Sequence, residues 1–200
     1  LKDIVDPHYT FLQGTICDQR ALDTIILEHK IDTIVNYAAE THVDRSIMDP
    51  RAFLQTDVIG THTLLEAVRK HGIERLIQIS TDEVYGDIAS GRVNEAAPFR
   101  PSSPYAAAKA GGDHLVHAYY RTYQTPVMVT HSCNFYGPNQ YPEKLIPLFI
   151  TNLLESKKVP VYGDGNQTRE WIFVDDHCRA IDMILHCGRI GEAYNIGTGH

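Results

Sequence analysis

Two residues in this 200-residue chain have the types and the spacing needed for base catalysis. Tyr105 and Lys109 are four residues apart in an alanine-rich stretch, and on a helix this spacing places both side chains on one face. A phenol with its usual pKa of ~10 is a weak base at neutral pH, but a neighbouring ammonium favours the phenolate. An isolated pair of this kind is usually solvated and inert. Here Ser103 and Pro104 mark a helix start just before it, and this context favours a lysine-assisted tyrosine base.

A second candidate group follows the predicted strand 75–80. Thr81, Asp82 and Glu83 stand directly after that strand, so two neighbouring carboxylic acids lie at its carboxyl end. They are either a solvated or capping pair in a turn, or an acid and a base. If one is protonated and the other ionised, the pair donates one proton and accepts another in the same turnover.

A third segment follows the predicted strand 31–37 and is expected to be a loop with the sequence AAETHVDRS. Its two small residues, Ala38 and Ala39, would let a cofactor approach the backbone closely. His42, and the pair His114 and His117, have no Cys or carboxylate at ligand spacing, so no metal site is predicted.

The elements that must position these residues alternate between strand and helix. Strands are predicted at 9–12, 31–37, 75–80 and 127–131, and helices at 18–29, 50–71 and 103–123. This order indicates βαβ units and a doubly wound parallel sheet of the α/β class, Rossmann-like in type. Ligands of such sheets bind at the carboxyl ends of the strands, so the residues after Tyr37, Ser80 and Ser132 are expected to line one crevice.

The character of the sequence changes after about residue 136. A turn is followed by a predicted helix 143–156, an apolar run 171–174, a helix 175–187 and a strand 193–196. We interpret residues 1–136 as the main domain and residues 137–200 as a smaller substrate-binding lobe, some of whose strands return to the main sheet.

Composition limits the classes of partner. The net charge of -7 and the isoelectric point near 5.8 argue against a nucleic-acid binder. The four cysteines are scattered without a CxxC pair, which favours reduced thiols and a cytoplasmic protein. No apolar run approaches the ~18 residues of a membrane helix, so no membrane association is expected.

The three segments resemble motifs of nucleotide-sugar 4,6-dehydratases, which belong to the extended short-chain dehydrogenase/reductase family. The resemblance continues through almost the whole chain in the same order. It is carried by the stretches NYAAETHVDRS, STDEVYGD, SPYAAAKA, NFYGP, PEKLIP, PVYGDG and REW. YxxxK occurs throughout the superfamily, whereas the Thr-Asp-Glu triplet is much more specific.

The resemblance implies NAD-dependent dehydration of a nucleotide-glucose, with dTDP-glucose as the expected substrate, to a 4-keto-6-deoxy sugar. Tyr105 would take the C4 hydroxyl proton, and Lys109 would tune it and hold the nicotinamide ribose. Glu83 would remove the C5 proton, Asp82 would protonate the leaving C6 hydroxyl, and Thr81 would orient the C4 oxygen.

The resemblance also implies binding residues and a homodimer. Besides Tyr105 and Lys109, the cofactor-binding residues would be Thr15, Ile16, Tyr37, Ala38, Ala39, Thr41 and Thr56. Besides Thr41 and Thr81, the nucleotide-diphosphate sugar would contact Asn134, Lys144, Leu145, Pro160, Val161, Tyr162, Arg169 and Asn195. Arg169 is the candidate diphosphate clamp, and an ion pair with Glu170 or Asp175 is its alternative.

Two positions depart from the family pattern. Thr15 stands where the family usually has Asp, and Phe135 stands where an Asn often contacts the cofactor, so that contact is either lost or replaced by stacking.

Three other functions remain open at this point. A UDP-glucuronate decarboxylase would have Ser at the position of Asp82, and a 4-epimerase would have neither acid. A non-catalytic relative would be expected to lack Tyr105, Lys109 or Glu83, and all three are present.

The chain starts at Leu1 and contains no Gly-rich phosphate loop of the kind that opens such a fold. We therefore expect roughly 40 further residues before Leu1, on the spacing of two βα units, and more after His200. A polypeptide of these 200 residues alone is expected neither to unfold cooperatively nor to turn over substrate. A sharp thermal transition together with NAD binding by this polypeptide would contradict that expectation.

Overall fold

A parallel sheet of four strands organises the chain in the computed structural model, which describes residues 4–199. The strands are β1 (Thr33–Asn36), β2 (Arg75–Thr81), β3 (Val127–Ser132), β4 (Asn134–Tyr136), β5 (Trp171–Phe173) and β6 (Ala193–Ile196). The main sheet has the order β1-β2-β3-β6, and β4 and β5 form a separate two-stranded parallel sheet.

Seven α-helices accompany the strands among the described residues. They are α1 (Gln19–His29), α2 (Val43–Met48), α3 (Pro50–Phe53), α4 (Thr61–His71), α5 (Pro104–Tyr123), α6 (Leu145–Leu154) and α7 (Val174–Cys187). A π-helical segment (Leu54–Gly60) joins α3 to α4, and a 3-10 turn (Asp82–Tyr85), here called the acid turn, follows β2.

The two central strands are buried on both faces. Every residue of β3 is buried, and so is every residue of β2 after the first. Their register places Ile77 beside Met128, and neither side chain is exposed to solvent. Parallel strands covered on both faces are near-continuous apolar runs, as in RLIQIST and VMVTHS.

Helices cover both faces of the sheet. Leu65 of α4 and Val116 of α5 pack with Leu76 and Val127, whereas Ile181 of α7 packs with the neighbouring strand residues on the opposite face. The doubly wound α/β fold is therefore confirmed. Strand β3 lies beside β2, and β6 lies beside β3 on the side away from β2. Helix α5, which connects β2 to β3, and helix α7, which precedes β6, cover opposite faces of the sheet. The β3–β6 connection consequently has the opposite hand to the β2–β3 connection, which is rare.

Helix α5 carries the predicted base and has clear boundaries. The Ser103 hydroxyl accepts a hydrogen bond from the Ala106 amide at 3.1 Å, and Pro104 occupies the first turn. The helix ends at Gln124, whose φ of 56° is left-handed. These caps fix the register of Tyr105 and Lys109 at the first two turns.

Three sequence expectations about elements are wrong. The helix predicted over 50–71 is not uniform, because it divides into α3, the π-helical segment and α4. Residues 9–12 form no strand, since no described strand lies beside them and about half of the Phe11 side chain is exposed. The predicted loop AAETHVDRS contains the short helix α2.

Within residues 4–199, none of the helices has both the length and the apolar character needed to cross a bilayer.

The position of the core predicts how much stability is lost when a leucine side chain is shortened to alanine. Leu65 is fully buried between α4 and the sheet, so Leu65→Ala in the full-length protein is expected to lower the free energy of unfolding by about 2–5 kcal/mol. The same change at Leu27, which is 66% exposed on α1, is expected to cost less than about 1 kcal/mol. Equal losses in urea denaturation would contradict this placement of the core.

Candidate active site

The acid turn carries the two predicted carboxylic acids at the carboxyl end of β2. The Thr81 hydroxyl accepts a hydrogen bond from the Glu83 amide at 3.2 Å and donates one to Asp82 Oδ1 at 3.3 Å. On the far side, the Val84 carbonyl accepts from the Arg100 amide at 2.9 Å. Thr81 therefore caps the turn that it shares with both acids.

Both acids are shifted towards their protonated forms. Burial raises the pKa of Asp82, and the charge of Glu170 adds to the effect. Burial also raises the pKa of Glu83, with a further contribution from Asp82. The guanidinium of Arg169 opposes both shifts, so it lies close enough to act on the pair. A raised pKa brings a carboxyl closer to the value that suits proton transfer near neutral pH.

Tyr105 lies among these groups and is 9% exposed. Burial raises the pKa of its phenol well above the usual value, and the charges of Glu83, Asp57 and Asp82 raise it further. A hydrogen bond with the Thr81 side chain acts in the opposite direction. Helix α5 packs against the acid turn, so the phenol lies close enough to both acids for their charges to act on it.

Lys109 is buried, but its ammonium is engaged elsewhere. It donates a hydrogen bond to the Ile79 carbonyl at 2.7 Å and lies 3.8 Å from Asp57 Oδ1. Desolvation of the phenol is the largest cause of its raised pKa in this structure, so the lowering of the Tyr105 pKa by Lys109 stays a prediction.

Asp57, on the π-helical segment, was not singled out by the sequence. Its side chain is 1% exposed, and no side chain among the described residues donates a hydrogen bond to either carboxylate oxygen. Burial raises the pKa of Asp57 to about 7, and the charge of Lys109 and the Glu40 amide oppose the shift. Asp57 and Thr61 lie one turn apart in an otherwise apolar buried stripe, which is the signal that could have identified it.

The carboxyl end of β1 supplies the predicted cofactor segment. Ala38 is exposed and Ala39 half-buried, so small side chains leave the backbone accessible there, and the Ala38 amide donates to Asn36 Oδ1 at 3.1 Å. These features fit a cofactor lying along the backbone. Tyr37 is half-exposed, and its hydroxyl lies 3.0 Å from His177 Nε2.

The other predicted cofactor residues lie on or near the π-helical segment. Ile16 packs against Gly60, at the end of that segment, and the neighbouring Cys17 thiol donates to the Gln55 carbonyl at 3.2 Å. Thr15 is exposed and Thr56 is half-buried.

Phe135 stacks on an imidazole. Its ring lies 4.4 Å from that of His177 with an interplanar angle of 16°. The residue that departs from the family pattern is thus used for packing within the protein, against the same His177 that contacts Tyr37.

Lys144 connects the smaller lobe to the loop after β1. Its ammonium donates to the carbonyl of Thr41 at 2.8 Å and to the Thr41 hydroxyl at 2.9 Å, across 103 residues of sequence. Burial lowers the pKa of Lys144, and Glu143 and Glu83 oppose the shift. Both residues were predicted to contact substrate, and the structure places them together.

The remaining predicted substrate residues differ in exposure. Asn134 is half-buried at the start of β4, whereas Leu145 and residues 160–162 are exposed. The Tyr162 hydroxyl donates to Asp44 Oδ2 at 2.9 Å.

Arg169 is exposed, and its guanidinium donates to the Thr168 carbonyl at 2.8 Å. The alternative ion pair with Glu170 or Asp175 does not occur within 4.0 Å in the described part of the chain. Glu170 instead accepts hydrogen bonds from the Thr198 hydroxyl and the Gly199 amide, both at 2.8 Å. The guanidinium is therefore not neutralised by these acids.

Asn195 makes contacts within the protein. Its side-chain oxygen accepts from the Tyr85 hydroxyl at 2.8 Å, and its side-chain nitrogen donates to the Val93 carbonyl at 3.2 Å. The structure does not bring its amide into the group formed by Tyr105 and the acids.

The sequence and the structure were compared with those of known proteins. The family model described as GDP-mannose 4,6 dehydratase matches residues 2–200. The chain belongs to this family. A dTDP-glucose 4,6-dehydratase of Streptomyces niveus is 53% identical over 192 residues, which are 96% of this chain and 56% of that protein.

The fold of this chain resembles those of several solved structures. DesIV, a dTDP-glucose 4,6-dehydratase from Streptomyces venezuelae crystallised with NAD and a dTDP ligand, superposes with a TM-score of 0.94. It is 51% identical and matches 98% of this chain and 60% of its own. UDP-glucose 4-epimerase from Thermus thermophilus with NAD has a TM-score of 0.90 at 29% identity, over 98% of this chain and 66% of its own. The chain thus spans 56% of the Streptomyces niveus protein and 60% of DesIV.

The raised pKa of Asp57 predicts a pH-dependent stability. The folded state holds this proton up to about pH 7, whereas the unfolded carboxyl releases it near 3.8. The free energy of unfolding therefore falls as pH rises through this interval. In the full-length wild-type protein, this carboxyl should lower the free energy of unfolding by about 1–4 kcal/mol between about pH 4 and about pH 7. In Asp57→Asn this contribution should be absent.

Urea denaturation of both proteins at the two ends of that interval measures the difference. Asp44→Asn, on an exposed residue of α2, is the matched control and should leave the pH dependence of the free energy of unfolding unchanged. The same pH dependence in Asp57→Asn and wild type would show that the Asp57 carboxyl is ionised in the folded state.

Proposed function

We propose that the protein catalyses NAD-dependent dehydration of a nucleotide-glucose, with dTDP-glucose as substrate, to the 4-keto-6-deoxy sugar. The proposal rests on one observation: the acid turn after β2, with Thr81, Asp82 and Glu83, packs against α5, and the charges of both acids act on Tyr105. The identity of about 50% to named dTDP-glucose 4,6-dehydratases supports it. The presence of Asp82 argues against a UDP-glucuronate decarboxylase.

NAD is the proposed cofactor, as in the relatives solved with it. Thr15, Ile16, Thr56 and the backbone after Tyr37 would hold it, and Lys109 would reach the nicotinamide ribose. When bound, NAD would accept the hydride from C4 of the sugar and return it to C6. A nicotinamide cation near Tyr105 would also oppose the effects that raise the pKa of the phenol.

The side chains would divide the proton transfers. Tyr105 would take the C4 hydroxyl proton while Thr81 orients that oxygen. Glu83 would remove the C5 proton, which is acidic beside the C4 ketone, and Asp82 would give its proton to the departing C6 hydroxyl. Burial of both acids supports these roles, because each needs a pKa closer to neutrality than a solvated carboxyl has.

The nucleotide diphosphate would lie against the smaller lobe. Arg169 has no carboxylate partner within 4.0 Å among residues 137–199 and would form paired hydrogen bonds to phosphate oxygens. Lys144 would contribute a second positive charge. The substrate surface would be completed by Asn134, Leu145, Pro160, Val161, Tyr162 and Asn195.

We also propose the wider setting. Residues 1–136 would form the cofactor-binding domain and residues 137–200 the substrate lobe, from which β6 joins the main sheet. The four free cysteines support a cytoplasmic location. A homodimer would use α4, α5 and the π-helical segment, where Leu54 and Tyr123 expose apolar surface.

Incubation of the full-length protein with dTDP-glucose and, separately, UDP-glucose tests the activity. A 4-keto-6-deoxy product formed faster from dTDP-glucose is expected. Absence of this product from both sugars, in a folded protein that binds NAD, would reject the proposed function.

Replacement of Asp82 tests the division of roles. In Asp82→Asn the amide cannot protonate the leaving hydroxyl, so elimination of water should slow by at least about 100-fold. Oxidation at C4 should stay near the wild-type rate, and NADH should accumulate in rapid-mixing experiments.

Asp182→Asn, which makes the same change at an acid of α7 whose side chain is 74% exposed, is the matched control and should behave as wild type. Equal slowing of oxidation and elimination in Asp82→Asn would remove the role given to this acid.

A further inference from the structure

A chain of buried polar side chains lies behind the acid turn. It begins at Tyr85, the last residue of the turn, whose side chain is 4% exposed. The Tyr85 hydroxyl is 2.8 Å from Asn195 Oδ1 and 2.8 Å from His131 Nδ1. The acid turn is thereby connected to β6 and to β3, the two strands beyond β2.

The connection continues from β3 into α5. His131 Nε2 lies 3.4 Å from Asp113 Oδ2, and the Ser80 hydroxyl donates to the same oxygen at 2.6 Å. Asp113, His131 and Ser80 are all at most 6% exposed. Ser80 directly precedes Thr81 in β2. The contacts therefore run from Tyr85, at the end of the acid turn, back to the residues of β2 that lie just before the turn.

The hydrogen-bond donors can be assigned. A phenol has one proton, and Tyr85 donates it to Asn195 Oδ1. His131 must therefore donate through Nδ1 to the phenol oxygen. Its Nε2 lies 3.4 Å from Asp113 Oδ2 and makes no hydrogen bond among the described residues, so Asp113 attracts the imidazole when both ring nitrogens carry protons.

The rings reinforce this arrangement. The Tyr85 and His131 rings are 5.1 Å apart, and Phe99 packs edge-on against both, at 5.7 Å and 5.4 Å. The group is thus enclosed by aromatic surface, and a hydrogen bond in such surroundings constrains geometry more than one in water.

Backbone contacts also restrain the acid turn, a single turn of four residues in which Glu83 lies two residues before Tyr85. Besides the cap made by Thr81, the Gly86 amide donates to the Glu83 carbonyl at 3.1 Å, and the carbonyl of the buried Val84 accepts from the Arg100 amide at 2.9 Å. Gly86 has a φ of 78° and would clash with the same Arg100 if it had a side chain. Among the described residues, the Tyr85 hydroxyl adds the side-chain hydrogen bonds that hold the end of the turn.

We infer that Tyr85, His131 and Asp113 are positioning residues for the water-elimination step. They touch neither sugar nor cofactor but fix the end of the acid turn, and through it the carboxyls of Asp82 and Glu83. The inference rests on the proposed dehydration. It predicts a selective defect, because elimination uses these two carboxyls whereas C4 oxidation uses Tyr105.

The first test compares two reaction steps in the full-length protein. After rapid mixing with dTDP-glucose, Tyr85→Phe keeps the ring but loses the hydroxyl, and elimination is expected to slow by about 10- to 100-fold. His131→Leu should do the same. C4 oxidation, followed as NADH formation, should stay near the wild-type rate in both variants.

Two further variants separate positioning from loss of core packing. His131→Asn keeps a donor close to the position of Nδ1 and should restore elimination towards the wild-type rate. Thr130→Val changes a buried neighbour on the other face of β3, whose hydroxyl has no partner among the described residues, and should alter neither step. Equal slowing of both steps, or no rescue by His131→Asn, would overturn the inference.

A measurement without substrate separates this inference from the proposed function. Amide hydrogen exchange at Glu83 and Gly86 should be faster in Tyr85→Phe than in wild type, because the turn opens more often. Failure of wild type to convert dTDP-glucose would reject the function alone. Unchanged exchange at these two amides would reject the positioning role, whatever the substrate.

Discussion

The close contact between α5 and the π-helical segment places most of the ionisable groups of the site. A methyl group added at Gly112 would lie 2.6 Å from the carbonyl oxygen of Asp57, so only glycine allows the two backbones to approach this far. The same carbonyl accepts a hydrogen bond from the Thr61 hydroxyl at 2.7 Å. Lys109 and Asp113, on the same side of α5 as Gly112, therefore face the π-helical segment and β2 and not solvent.

This contact has an electrostatic consequence. Lys109, Asp57 and Asp113 are removed from water, and each needs partners to offset the loss of hydration. Lys109 has a carbonyl and a carboxylate, and Asp113 has a hydroxyl and an imidazole, whereas the Asp57 carboxylate has the nearby ammonium but no hydrogen bond among the described residues. Groups fixed in a water-poor site need little rearrangement during reaction, which is the usual source of electrostatic catalysis.

The sequence was sufficient to predict the strands and helices that hold the acids and Tyr105. The apolar runs of β2 and β3 and the Ser-Pro start of α5 are strong local signals, and motif spacing identified Tyr105, Lys109, Asp82 and Glu83 as site candidates. What could not be predicted depends on contacts distant in the sequence.

Three features illustrate this limit. The π-helical segment has almost the same apolar pattern as an α-helix, so Asp57 is not seen to face Lys109. Both faces of the sheet are apolar, so the pattern does not tell which face α7 covers. Asn195 matches a substrate motif, but whether its amide meets Tyr85 or a ligand is decided by a side chain 110 residues away.

The two hydrogen bonds from Lys144 to Thr41 leave one N–H of the ammonium unused by this residue. A phosphate that accepts from the third N–H would meet a cation already held in place by the loop after β1, so little side-chain freedom would be lost on binding. The smaller lobe and that loop would then present one preorganised positive charge to the crevice.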